Sequence, residues 1–188
     1  MRIREHALHL YRDDAELATT VAEFLAPAFA EAQAILTIGT RAHVASIEQR
    51  LRTEGHDVDR ARWRGQYQSL DAAHVIPRLL RDGLPTAETF GEVVGGHVTR
   101  LAADHGGVRA FGEIVALLWR DGKHAAALRL EDLWNDSLGR HPLALVCGYP
   151  ERDLGDEHRR RIGDRHTSEI QHDAPETARR RAMPEAAS

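Results

Sequence analysis

The stretch HALHLYRDD, residues 6–14, decides the fold. Its first six residues alternate: His6, Leu8 and Leu10 point to one side, Ala7, His9 and Tyr11 to the other. That two-residue period is a strand. Asp13 or Asp14 can cap a helix, because a short carboxylate accepts from the N–H groups that a helix leaves unpaired. The helix follows at once, with Leu17, Val21, Phe24, Leu25 and Phe29 at helical spacing and Pro27 placed to kink or end it. A strand running straight into a helix is half of a βαβ unit, and in open parallel sheets ligands bind at such turns. This turn carries Tyr11, Arg12 and two aspartates but none of the glycines that cradle phosphate.

The pattern repeats outward. AILTIG (34–39) and LALVC (143–147) are continuous apolar runs, as expected of strands buried on both faces. YQSLDA (67–72), VRAFG (108–112) and the longer PLALVCGYP (142–150) complete five strand candidates. TRAHVASIEQRLRTEGHD predicts a helix ending at Gly55, and AHVIPRLLRDG predicts another. PTAETFGEVVGGHVTRLAADHGG reads as one long helix, and residues 113–141 as two helices broken near Gly122. The expected fold is α/β, with about five mostly parallel strands flanked by helices. Residues 1–172 form one domain on this reading, with a core over 1–150 and a polar helical extension over 151–172. The tail, residues 173–188, holds almost no core-forming residues and is expected to be disordered.

Composition narrows the function. A net charge of −4 gives no global basic field, so direct nucleic-acid binding is not expected. No run approaches the ~18 apolar residues of a membrane span, and no secretory signal opens the chain. One cysteine, Cys147, forms no disulfide framework and fits a reducing cytoplasm. The chain has 24 arginines and one lysine, a bias that suggests a GC-rich bacterial genome. That lysine, Lys123, has Leu117 and His124 where a phosphate loop needs glycine and Ser/Thr, so no working P-loop is expected.

Strand ends supply the candidate site: Tyr11, Arg12 and Asp13; Gly39, Thr40 and Arg41; Asp71; Gly112 and Glu113; Cys147, Gly148 and Tyr149. Asp13 and Asp71 also read as helix caps, and Cys147 as a small core residue. Glu113 either complements a helix dipole or faces a ligand; both readings stand. Further along, Trp119 and Trp134 either fill the core or wall an apolar pocket into which Glu131 and Asn135 project. Twelve histidines raise the question of metal, but His6 and His9 point to opposite faces and no H-E-x-x-H or paired Cys/His spacing occurs. His158 and His166 would need other partners. No metal site and no cofactor are expected.

Several of these stretches carry a resemblance. HALHLYRDDAEL (6–17), GQYQSLDA (65–72), VRAFGEIVALLWRDGKHAAALRLEDLWN (108–135), LALVCGYP (143–150) and RHTSEI (165–170) resemble the MEDS family, the methanogen/methylotroph, DcmR-type sensory domain. The resemblance implies a RecA/KaiC-like fold without a functional P-loop, and sensing of small molecules such as hydrocarbon derivatives. It matches His6, Tyr11, Gly112, Glu113, Trp119, Glu131, Trp134, Asn135, Cys147, Tyr149, Pro150 and His166 to family positions. It also implies a departure, since many members carry a cysteine or other small residue where Leu8 stands.

The expected ligand-binding set is therefore His6, Tyr11, Glu113, Trp119, Glu131, Trp134, Asn135, Cys147 and Tyr149, with Tyr11 facing a pocket closed by Glu113 and Tyr149. The favoured function is a stand-alone cytoplasmic sensory domain in signal transduction or transcriptional regulation. It would bind a small organic ligand, apolar or not, and act through a protein partner that carries the output; a homo-oligomer is compatible. Two other functions stay open. One is an interaction or anti-sigma-type module with an empty pocket, and the other a small enzyme using Glu113, Tyr11 or Cys147.

Overall fold

The computed structural model describes residues 4–171 and 179–182. β1 (Glu5–Tyr11) runs into α1 (Asp14–Leu25), and Pro27 then starts a separate short helix, α2 (Pro27–Glu31). Proline fits a first helical turn because its missing N–H would be unpaired there anyway. β2 (Ala34–Gly39), α3 (Arg41–Thr53), α4 (Val58–Trp63) and β3 (Tyr67–Asp71) follow. α5 (Ala72–Leu79) leads to a hairpin of β4 (Leu80–Arg81) and β5 (Leu84–Pro85). The sequence pattern ran a helix through this hairpin. Asp82 and Gly83 both take positive φ, the requirement of a tight two-residue turn.

α6 (Ala87–Phe90), a π turn (Gly91–Gly95) and α7 (Gly96–His105) make the expected long helix, with one widened turn. There the Gly96 N–H reaches back five residues to the Gly91 carbonyl. A Cβ on Gly96 would lie 3.2 Å from that oxygen, so glycine suits the widened turn. β6 (Val108–Gly112), α8 (Ile114–Arg120), α9 (His124–Arg140) and β7 (Leu143–Pro150) match their predicted stretches, and Gly122 breaks α8 from α9 at φ 72°. A 3-10 turn (Glu151–Asp153), α10 (Asp156–Gly163), β8 (Ser168–Gln171) and β9 (Arg179–Ala182) close the described chain.

The sheet order is β3-β2-β6-β7-β1-β8-β9. The first six strands are parallel and β9 is antiparallel to β8. The sixth parallel strand lies within the polar helical extension that the sequence suggested over 151–172. Only Asp156–Gly163 is α-helical there; Ser168–Ile170 instead pair with Ala7–His9 of β1. Its apolar contribution is one buried residue, Ile170, too little for a readable period. Within the tail 173–188, Arg179–Ala182 differ from the disorder expected of them by forming β9; the other tail residues lie outside those described.

Two cores sandwich the sheet. One face buries Leu17, Val21, Phe24, Ile47 and Leu51 of α1 and α3 against Ile35, Phe111 and Val146. The other buries residues of α5 to α9, Trp119 and Trp134 among them, against Leu8, Ile38, Leu145 and Cys147. The helix after β2 and the helix after β6 therefore cover opposite faces, though the two strands are neighbours. That is a topological switch point, where a crevice opens at the carboxyl ends of the strands. Among the described residues, no helix is long and apolar enough to cross a membrane.

Candidate functional site

Glu113 sits at the end of β6, in the N-cap position of α8, yet its side chain makes no capping bond. Its carboxylate turns across the crevice to β2 and α3. Oε2 accepts from the Thr40 N–H at 3.1 Å, and Oε1 lies 2.9 Å from His43 Nδ1. His43 Nε2 is 3.3 Å from Asp14, so the imidazole bridges two carboxylates. Gly39 leaves the room: a Cβ there would lie 2.6 Å from Glu113 Oε2. Tyr11 stands edge-on to His43, with ring centroids 6.2 Å apart. Burial, then Glu113, push its hydroxyl pKa up, and it stays neutral. Tyr11, Asp14, His43 and Glu113, with Leu117, Arg120, Arg152 and Asp153, line a cleft of about 210 Å³.

The Glu113 hydrogen bond holds His43 above the ordinary histidine range, with Asp14 adding to it against the effect of burial. A raised folded pKa means that this stabilisation is complete below the unfolded value of about 6.5 and is lost as pH rises through the folded one. The melting-temperature gap between wild type and His43→Gln is therefore expected to be widest near about pH 6 and to narrow toward about pH 9. A gap that stays constant across this range would remove His43 as the charged partner.

The connection from β1 to α1 is too short and too acidic for phosphate. Asp13 caps the helix by accepting from the Glu16 N–H at 2.8 Å, and Asp14 and Glu16 occupy the first turn. Arg12 is engaged by Glu16 at 2.9 Å.

The other candidates gather on the opposite face. His6 and Cys147, from adjacent strands β1 and β7, and Glu131 from α9 are fully buried together. His6 Nε2 lies 3.3 Å from Cys147 Sγ and 3.2 Å from Glu131 Oε2. The Tyr149 hydroxyl donates to Glu131 Oε1 at 2.6 Å. Asn135, one turn along α9, accepts at Oδ1 from His6 Nδ1 (2.9 Å) and donates to the Arg165 carbonyl (3.0 Å). His166 completes the group, 3.6 Å from Glu131 and with its ring 4.1 Å from that of His6.

Burial opposes ionisation of Glu131, but His166, His6 and the Tyr149 hydroxyl outweigh it and hold the carboxyl at about 2. Burial in turn depresses His166 to about 4, so it is neutral at pH 7. His6 and Tyr149 are thus the groups that keep Glu131 charged. Burial and Glu131 push the Cys147 thiol and the Tyr149 hydroxyl well up.

One expected pocket thus becomes two sites. Tyr149 does not close a cleft with Tyr11 and Glu113; it faces α9 and Glu131. Asn135 likewise meets His6, while Thr40 and His43 meet Glu113. Strand alternation is the reason, because Tyr11 and Tyr149 lie on opposite faces of the sheet. Trp119 stacks on His124 and Trp134 packs edge-on against Phe90, both within the core. Sequence reasoning missed His43, which follows the Thr40 cap by three residues, and left His166, matched to a family position, out of the expected ligand-binding set though it is buried.

The chain is similar in structure to a KaiC-like protein from the hyperthermophilic archaeon Pyrococcus horikoshii OT3. The TM-score is 0.60 at 12% identity, over 98% of this chain and 81% of that one, a likeness of fold. Comparison with curated proteins finds no match. The profile of the MEthanogen/methylotroph, DcmR Sensory domain matches residues 5–167. The chain belongs to that family, MEDS.

Proposed function

We propose that this domain senses a small polar organic molecule in the cleft at the ends of β1, β6 and β7, and passes the signal to a partner protein that carries the output. One observation carries the reading. The buried Glu113 carboxylate is turned away from its own helix and held by Thr40 and His43 at the wall of the cleft. Membership of a sensory family and the switch-point position support it. The mixed lining of Tyr11, His43, Glu113, Arg120 and Arg152 suits a ligand with its own donors and acceptors. An enzyme reading has less support, because Cys147 is fully buried on the other face from Tyr11.

A second reading rests on the π turn, since such turns recur at functional sites. A cavity of about 410 Å³ lies between it and α9, lined by Phe90, Gly91, Gly95 and Leu133, with Arg140 and His141 among its polar groups. An apolar ligand would fit there.

Ligand-observed NMR with a panel of small alcohols, amines and carboxylic acids separates the readings. Cleft ligands are expected to bind Glu113→Gln about 5- to 150-fold more weakly, which is ~1–3 kcal/mol for a buried polar group losing its partner, with the fold intact. MgATP, in the same panel, is expected not to bind. Ligands indifferent to Glu113→Gln would move the site to the apolar cavity, and micromolar MgATP binding would overturn the sensory reading.

A further inference from the structure

We infer that His6, Glu131, Cys147 and His166 form a closed seat for a zinc-class divalent transition metal. The four donor atoms lie within 4.8 Å of one another, and all four residues are buried. A tetrahedral zinc centre with Zn–N of about 2.0–2.1 Å, Zn–O of about 2.0–2.2 Å and Zn–S of about 2.3 Å needs donors about 3.3–3.6 Å apart. His6 Nε2 and Cys147 Sγ stand 3.2 and 3.6 Å from Glu131 Oε2 and 3.3 Å from each other, while His166 Nε2 lies 3.6 Å from the other carboxylate oxygen, Oε1. The pairs that involve His166 must close by up to about 1.5 Å to complete the tetrahedron.

The orientation of both imidazoles points the same way. His6 Nδ1 donates to Asn135 Oδ1 at 2.9 Å, and His166 Nδ1 donates to the Ile162 carbonyl at 2.8 Å. Each outer bond turns Nε2 inward, the arrangement that orients metal-bound histidines. His166 Nε2 is buried, directed at Glu131, and makes no hydrogen bond among the described residues. A buried polar nitrogen left in that state is costly without a partner, and a metal would be that partner.

Charge and donor type select the cation. One thiolate and one carboxylate balance a divalent ion, so the filled site is neutral; the thiol proton leaves to solvent as the metal enters. A thiolate with two imidazoles favours zinc, cobalt or ferrous iron over magnesium or calcium. Four protein donors leave no open position, so the ion would be structural. It would tie β1 to α9, β7 and the turn before β8. The site lies on the α9 face, apart from the Glu113 cleft, and does not depend on the sensory reading.

The test is cobalt and zinc titration of the full chain after chelator treatment and refolding checks by circular dichroism. Wild type is expected to take up one ion per chain, with the thiolate-to-cobalt charge-transfer band and the intense visible bands of tetrahedral cobalt. Cys147→Ser should lose the charge-transfer band, and His166→Gln should bind roughly tenfold or more weakly. Asn135→Ala, which removes only the brace on His6, should weaken uptake about 10- to 100-fold. His74→Gln, at an exposed histidine, should change nothing. A folded wild type that takes up no stoichiometric metal, or a folded Cys147→Ser that keeps the sulfur band, would overturn the proposal in favour of a purely hydrogen-bonded cluster.

Discussion

Glu131→Ala is expected to lower the free energy of unfolding by about 3–5 kcal/mol in metal-free buffer, the sum of two hydrogen bonds to a buried carboxylate at ~1.5–3 kcal/mol each. The carboxylate is fully buried and is the acceptor for Tyr149, with His6 Nε2 beside it. Alanine leaves the Tyr149 hydroxyl without its acceptor and His6 Nε2 with only the Cys147 sulfur, in a core that offers no water. Glu131→Gln keeps an acceptor for Tyr149 and should cost less, about 1–3 kcal/mol. Urea unfolding of the three proteins measures both steps. A Glu131→Ala loss below about 1 kcal/mol would show that the cluster does not hold the fold together.

Trp134→Ala should cost a similar ~3–5 kcal/mol, for a different reason. Trp134 is among the largest fully buried side chains, and its ring meets Phe90 edge-on at 5.1 Å. Truncation leaves a cavity between α9 and α6 beside the π turn, which backbone relaxation fills only in part. Trp63 provides the internal control. It is 85% exposed, so Trp63→Ala should stay within ~0.5 kcal/mol of wild type. Equal effects of the two substitutions, read by thermal or urea unfolding, would contradict this division of core and surface.

Of the five strands that the sequence foretold, β1 showed itself by alternation and β2 and β7 by long apolar runs. Ala34–Gly39 and Leu143–Pro150 are buried at every position, as strands covered on both faces are. The hairpin at Asp82–Gly83 and the strand Ser168–Gln171 escaped because each rests on few apolar residues and on what lies beside it. Caps behaved as short-range chemistry should: Asp13, Thr40 and Asp71 each accept from an N–H two or three residues ahead.

Local order, then, was the sequence's own to determine. Alternation in HALHLY already placed His6 and Tyr11 on opposite faces, although the expected ligand-binding set joined them. The missing glycines and the single lysine had already removed the phosphate loop. Only the tertiary structure decided which distant residue each face would meet. His6 finds Cys147 across 141 positions, and Glu113 finds His43 across 70, because strand order and helix sides bring them together. No periodicity carries that information. It arises when parallel strands pair out of sequence order and the buried polar groups on each face must satisfy one another.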